Sequence, residues 1–201
     1  AEYVGHPLFD EFERNPVSEE SVRELKDALP GTILGLFPGS RRSELQRLLP
    51  TLLDAAERIK ASRPDTRFLI PQAWTLERAE IDACLEGRQL SVTVVPERFY
   101  DVTRACDAIA TASGTATLEV ALMRVPLVVV YRVSGLSFRI MRRLIKLKPI
   151  AMCNIVPGRE VARELLQDDA TPQNIADELL RLLNPEVREK AVAELATVRK
   201  A

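Results

Sequence analysis

Histidine is nearly absent from the 201 residues, with His6 standing alone. One imidazole cannot build a multi-histidine metal site, and no HExxH pattern or cluster of His, Cys and Asp occurs, which argues against a protein-held catalytic metal. Ser113 has neither a nearby histidine nor a GxSxG elbow, so a hydrolase triad is excluded. Cysteine is scarce as well: Cys84, Cys106 and Cys153 are widely spaced, odd in number and in no CxxC pair. They suggest neither a disulfide framework nor a zinc site, and fit a reducing cytosol. The P-loop and GxGxxG signatures are missing, which speaks against an ATPase or a dinucleotide enzyme. No sign of charge dominates either, since 28 basic and 29 acidic residues leave a net −1, and nucleic acid finds no general basic field. The longest apolar run, Val125 to Tyr131, contains Pro126 and is far too short to span a bilayer, and no signal peptide opens the chain. The expectation is a soluble protein that can touch a membrane surface.

What is present is alternation. Thr32 to Phe37 is an apolar run of strand length, followed by Pro38 to Glu44 and a helix whose inner face is Leu45, Leu48, Leu49, Leu52, Leu53, Ala56 and Ile59, with Pro50 expected to kink or divide it. Strand and helix then recur: Arg67 to Ile70 with Thr75 to Leu85, Ser91 to Val95 with Phe99 to Ala105, Asp107 to Thr111 with Gly114 to Met123, and Leu127 to Tyr131. Such repetition predicts right-handed βαβ units in a doubly wound parallel sheet, an α/β domain of Rossmann-like type over residues 17–184. A helix is expected from Ser18 to just before Pro30. Leu136 to Lys148 carries Arg139, Arg142, Arg143, Lys146 and Lys148 among large apolar residues and no acid, suited either to an anionic membrane surface or to a helix docked on the sheet. Ile150 to Val156 reads as a short buried segment around Asn154, Arg159 to Gln167 as helical, and Thr171-Pro172 as the start of a helix to Leu183. Pro185 opens a last helix over 185–201. Residues 1–16 read as a hinge or linker from a preceding lobe, with His6 as a hinge residue rather than a base.

Two loops follow predicted strands. In open α/β sheets ligands bind beyond the carboxyl ends of strands, so Pro38 to Ser43 and Thr111 to Thr115 are candidate walls of one site. Ser113 as helix cap would point free amides and the positive dipole end at a phosphate. Glu119 shares a helix face with Thr115, while Leu118 and Leu122 turn inward; the carboxylate reads either as a ribose ligand or as a solvated helix residue. Gly39 permits close backbone approach, and Arg41 is either a diphosphate fork or a surface arginine.

PGSR at Pro38 to Arg41, SGTATLE at Ser113 to Glu119, PLVVVYR at Pro126 to Arg132, Asn154 with GRE at Gly158 to Glu160, and VGHP at Val4 to Pro7 resemble the lipid-A-disaccharide synthase family, specifically its C-terminal half. The resemblance implies the C-terminal lobe of a two-lobed, B-type glycosyltransferase. It further implies an inverting, metal-independent reaction without a cofactor: UDP-2,3-diacylglucosamine donates its sugar to 2,3-diacylglucosamine 1-phosphate and UDP leaves. Gly39, Ser40 and Arg41 would then border the diphosphate, with Arg41 stabilising departing UDP. Ser113, Gly114, Thr115 and Ala116 would bind the diphosphate and Glu119 the ribose, while Asn154 resembles a residue important for activity, or is a satisfied buried Asn. The general base would sit in an N-terminal lobe outside this chain, so nucleotide binding without turnover is expected. Other implied partners are that lobe, the anionic inner face of the cytoplasmic membrane as a peripheral surface, and a second copy through exchange of the C-terminal helix. Competing readings are another UDP-sugar enzyme of the same fold, such as a 2-epimerase or different glycosyltransferase, and a non-catalytic nucleotide-sensing module.

Overall fold

The computed structural model describes residues 17–132 and 149–200; the hinge and the basic segment Leu136 to Lys148 lie outside the described residues. Six parallel strands form one sheet: β1 (Ile33–Phe37), β2 (Arg67–Gln72), β3 (Val92–Pro96), β4 (Ala108–Ala112), β5 (Leu127–Tyr131) and β6 (Arg163–Leu166). Their spatial order is β3-β2-β1-β4-β5-β6. The order reverses direction between β1 and β4, where Leu34 pairs with Ala108 and Phe37 with Thr111. A crevice forms at such a switch point because the connections leave in opposite directions.

Period-two alternation divides the apolar runs between two cores. Leu34, Leu36, Phe68, Ile70, Val128 and Val130 face one side, and Ile33, Phe37, Leu69, Ile109, Leu127 and Val129 the other. The first side is covered by α2 (Arg42–Ser62), α3 (Arg78–Leu85) and α7 (Pro172–Leu182). The second is covered by α1 (Glu19–Ala28), α4 (Phe99–Ala105), α5 (Thr115–Leu122) and the short α6 (Met152–Ile155). Helix α8 (Pro185–Leu195) and the turn after it return Leu195 and Val198 to the second core, so the end of the chain packs on this domain. Among the described residues no helix is long and apolar enough to cross a membrane.

Side-chain caps set several helix starts as the sequence predicts. Ser18 accepts from the Ser21 amide at 3.2 Å, and Thr171 from the Asn174 amide at 3.1 Å.

Three expectations are corrected. Pro50 does not divide α2, which runs over 21 residues. A mid-helix proline costs about 3 kcal/mol, whereas each fully buried leucine contributes about 1.5–3 kcal/mol, and five leucines with Ile59 hold this helix to the core. The stretch Arg159 to Gln167 is not helical: it contains β6, which pairs Arg163 with Val128 and Leu166 with Tyr131. As an edge strand it buries only Leu165, so its sequence carries no apolar run. Finally, Gly114 rather than Ser113 is the N-cap of α5.

Candidate functional site

At the switch point the β1 and β4 loops open into a cleft of about 900 Å³. Gly39, Ser40 and Arg41 line one wall, and Ser113 through Ala116 with Glu119 line the other. Eight of the nine residues singled out in the sequence therefore meet in one place. Asn154 does not join them.

The β1 loop is built around a residue the sequence reading passed over. Gly39 sits at φ +101, and a side chain on it would place its Cβ 2.2 Å from Glu44 Oε2. Glu44 fills that space itself. Its Oε2 accepts from the Arg41 amide at 3.3 Å and its Oε1 from Arg41 Nη1 at 2.8 Å, one half of a capping box at the start of α2; the guanidinium has no acceptor to return, and the Glu44 amide donates instead to the Arg41 carbonyl at 2.9 Å. The Arg41 side chain remains 79% exposed, so this pair is a weak tether that an anion can outbid. Thr75 donates its hydroxyl to the Ser40 carbonyl, tying the loop to the one after β2.

The β4 loop presents backbone. Gly114, in extended geometry, brings no side-chain acceptor to the start of α5, and its carbonyl accepts from the Thr117 amide at 3.2 Å and from the Thr117 hydroxyl at 2.7 Å. Thr115 and Ala116, which line the cleft, are the first-turn residues whose amides no side-chain cap satisfies, with the helix dipole behind them. Losing Ser113 as cap strengthens the anion reading, because no hydroxyl competes for these donors.

Glu119 is half-buried, and its Oε1 accepts a hydrogen bond from the Tyr100 hydroxyl at 2.7 Å. Tyr100 belongs to an aromatic group behind the cleft: Phe99 meets Phe37 edge-on at 5.3 Å and Tyr100 at 5.6 Å. No period or motif singles out Tyr100. Glu97, at the turn into α4, adopts a left-handed backbone with φ 51, a strain of the kind that gathers at functional sites. Trp74, 83% exposed, stands on the rim. Among the described residues that line the cleft, Arg41 is the cation, against Glu44, Glu97 and Glu119.

Asn154 is fully buried and saturated. Its Oδ1 accepts from the Val161 and Ala162 amides at 2.7 and 2.9 Å; its Nδ2 donates to the Ala162 carbonyl at 2.7 Å and to Glu164 Oε1 at 2.8 Å. Glu164 in turn accepts from the Ile150 and Ala151 amides. The pair pins the segment 150–156 to β6, and α6 from that segment carries Met152 to the cleft wall. Among the described residues no group of three or more His, Cys, Asp or Glu is placed to hold a metal ion.

This architecture recurs in solved structures. The C-terminal CMP-Kdo binding domain of WaaA from Acinetobacter baumannii superposes with a TM-score of 0.61 at 14% identity, covering 90% of this chain and 97% of that one. Anabaena Alr3699/HepE, solved in complex with UDP and glucose, gives 0.59 at 14% identity, covering 92% of this chain and 47% of that one. At such identities these likenesses establish the fold. Sequence carries the relationship further: the lipid-A-disaccharide synthase of Nitrosococcus oceani is 47% identical over 192 residues, which are 96% of this chain and 50% of that protein. The chain spans about half the length of the curated relatives it matches. A family model described as lipid-A-disaccharide synthetase covers residues 1–200, and with that match the chain belongs to the lipid-A-disaccharide synthetase family.

Proposed function

We propose that this chain is the donor-binding half of an inverting, metal-independent glycosyltransferase that joins UDP-2,3-diacylglucosamine to 2,3-diacylglucosamine 1-phosphate and releases UDP. The observation that carries the reading is the meeting, at the β1/β4 switch point, of an uncapped helix start with a loop that ends in Arg41. On this reading the diphosphate rests against the first-turn amides of α5, and Arg41 exchanges Glu44 for a phosphate oxygen. Glu119 lies four residues further along α5, about 6 Å by helix rise, a distance that suits the ribose diol of the same nucleotide. As the sugar departs, charge grows on the UDP oxygen, and fixed amides with the guanidinium stabilise it without reorganising. The base that deprotonates the acceptor hydroxyl comes from a lobe outside this chain, so this half binds without turnover.

The same reading puts the protein at the anionic inner face of the cytoplasmic membrane, supported by the basic, apolar sequence 136–148, which suits an acylated substrate. Pairing of two copies by exchange of α8 also belongs to it, with Leu195 and Val198 as the contacts an exchanged helix would supply. A monomer by sedimentation would remove that element.

The test is a calorimetric titration with UDP and with ADP, both without divalent metal. Trp74, the single tryptophan, gives a parallel fluorescence readout from the cleft rim. Selective UDP binding is expected, with matching affinities from both methods. Equal binding of ADP, or none of either nucleotide, would overturn the reading of this chain as a uridine-specific donor lobe.

A further inference from the structure

A second concavity, of about 240 Å³, lies near the amino ends of β4 and β5, away from the cleft at their carboxyl ends. Lys26 on α1, Arg104 on α4, Arg124 after α5 and Arg188 on α8 line it, against one carboxylate, Glu19. Four different elements thus bring cations to one small groove in a chain whose net charge is −1. Arg188 is partly engaged, since Nη1 donates to the Asp107 carbonyl at 2.7 Å and stands 3.4 Å from its carboxylate. Lys26, Arg104 and Arg124 form no ion pair among the described residues.

Arg124 adds an independent observation. It occupies the left-handed position that closes α5, with φ 57, where glycine is the usual residue because a Cβ is strained there. The chain holds an arginine at this place, and its side chain lines the groove. Like charges gathered around one concavity repel one another, and a bound anion relieves that repulsion. Arginine forks match the paired oxygens of a phosphate group better than a single-point acceptor.

We propose that this groove binds a phosphate group, as a free phosphate or as the headgroup of a phospholipid, through Lys26, Arg104 and Arg124. The proposal is independent of the nucleotide cleft. The whole chain, labelled with ¹⁵N, is titrated with inorganic phosphate. Saturable amide shifts are expected at residues 104–107 and at 124 and 125, and R104Q/R124Q, both exposed positions, should weaken binding at least tenfold while UDP affinity stays unchanged. A parallel arm measures co-sedimentation with vesicles of phosphatidylglycerol in phosphatidylcholine, against phosphatidylcholine alone. Vesicle binding weakened at least tenfold by R104Q/R124Q, without saturable phosphate shifts, identifies the headgroup as the source. Phosphate shifts confined to residues 113–116, or identical behaviour of the wild-type chain and R104Q/R124Q in both arms, would overturn the proposal.

Discussion

The Tyr100 hydroxyl donates to Glu119 Oε1 at 2.7 Å, joining α4 to α5 along the cleft. The bond aims the carboxylate before any ligand arrives. Glu119→Ala should weaken UDP binding by about 1–3 kcal/mol, the usual worth of hydrogen bonds to a charged group. Tyr100→Phe should cost about 1.5–3 kcal/mol of stability, since the bond it removes also ends on a charged group, and affect UDP less, because the carboxylate survives. Calorimetry and urea unfolding on both variants check this. Unchanged UDP affinity in Glu119→Ala, with a lowered unfolding midpoint, would make the pair a strut between helices.

Gly39→Ala should damage both stability and nucleotide binding. The left-handed backbone at φ +101 costs a residue with a Cβ about 1–2 kcal/mol, and the methyl would meet Glu44 Oε2. Removing Glu44 as well makes room but leaves the backbone strain and breaks the cap. The double variant should therefore recover none of the lost stability, as urea unfolding will show. Full recovery would mean that crowding, and not backbone geometry, selects glycine here.

Asn154→Asp separates hydrogen bonding from charge. The new side chain still accepts from the Val161 and Ala162 amides, but it sets a second carboxylate against Glu164 where Nδ2 now donates at 2.8 Å. Like charges raise the folded-state pKa of the pair, so the folded protein takes up protons more readily than the unfolded chain. Relative to the wild-type chain, this variant should be destabilised least at low pH and more as pH rises. Urea midpoints of Asn154→Asp relative to the wild-type chain at pH 5 and pH 8 give the comparison; a pH-independent difference would show that the lost donor, not repulsion, is responsible.

Glu178 predicts the opposite slope. Its side chain is 1% exposed, and burial alone would raise its pKa, but hydrogen bonds from Arg181 and Arg163 overcome that and hold it below the ordinary 4.5. A depressed carboxylate stabilises the fold above its unfolded pKa and loses that contribution as pH falls through the folded value. The unfolding free energy should drop on acidification below about pH 4.5, and Glu178→Gln should flatten that drop. At neutral pH the same variant should cost about 1.5–3 kcal/mol, the worth of hydrogen bonds to a charged group, since the two arginines it leaves behind are half exposed and stay hydrated.

The strands were the most legible part of the chain, because a strand buried on both faces is an unbroken apolar run. Thr32 to Phe37 and Leu127 to Tyr131 announce themselves, whereas β6 pairs on one edge and buries a single leucine, leaving Arg163 to Leu166 without a pattern. Gly39, Arg41 and the SGT turn were legible because loops after strands have few other reasons to be built this way. Glu44 was legible in principle, three residues after Arg41, at the spacing of a capping box. Tyr100 was not: its relation to Glu119 exists only once α4 and α5 lie side by side. Asn154 was visible as a residue, yet only the structure shows that its polar atoms are consumed by Val161, Ala162 and Glu164.

The adjacency of β1 and β4 has a kinetic side. Phe37 lies beside Thr111, although α2, β2, α3, β3 and α4 all come between them in sequence. Non-local parallel pairing of this kind is slow to form, since loop-closure entropy is spent before the contact returns anything. Contact order predicts late completion of the cleft, and on the proposed function a partly folded chain would offer a nucleotide no grip. Nucleotide at one hundred times its dissociation constant would favour the finished chain by about 2.7 kcal/mol, so the cell's own pool of ligand would act as a quality check on newly made protein.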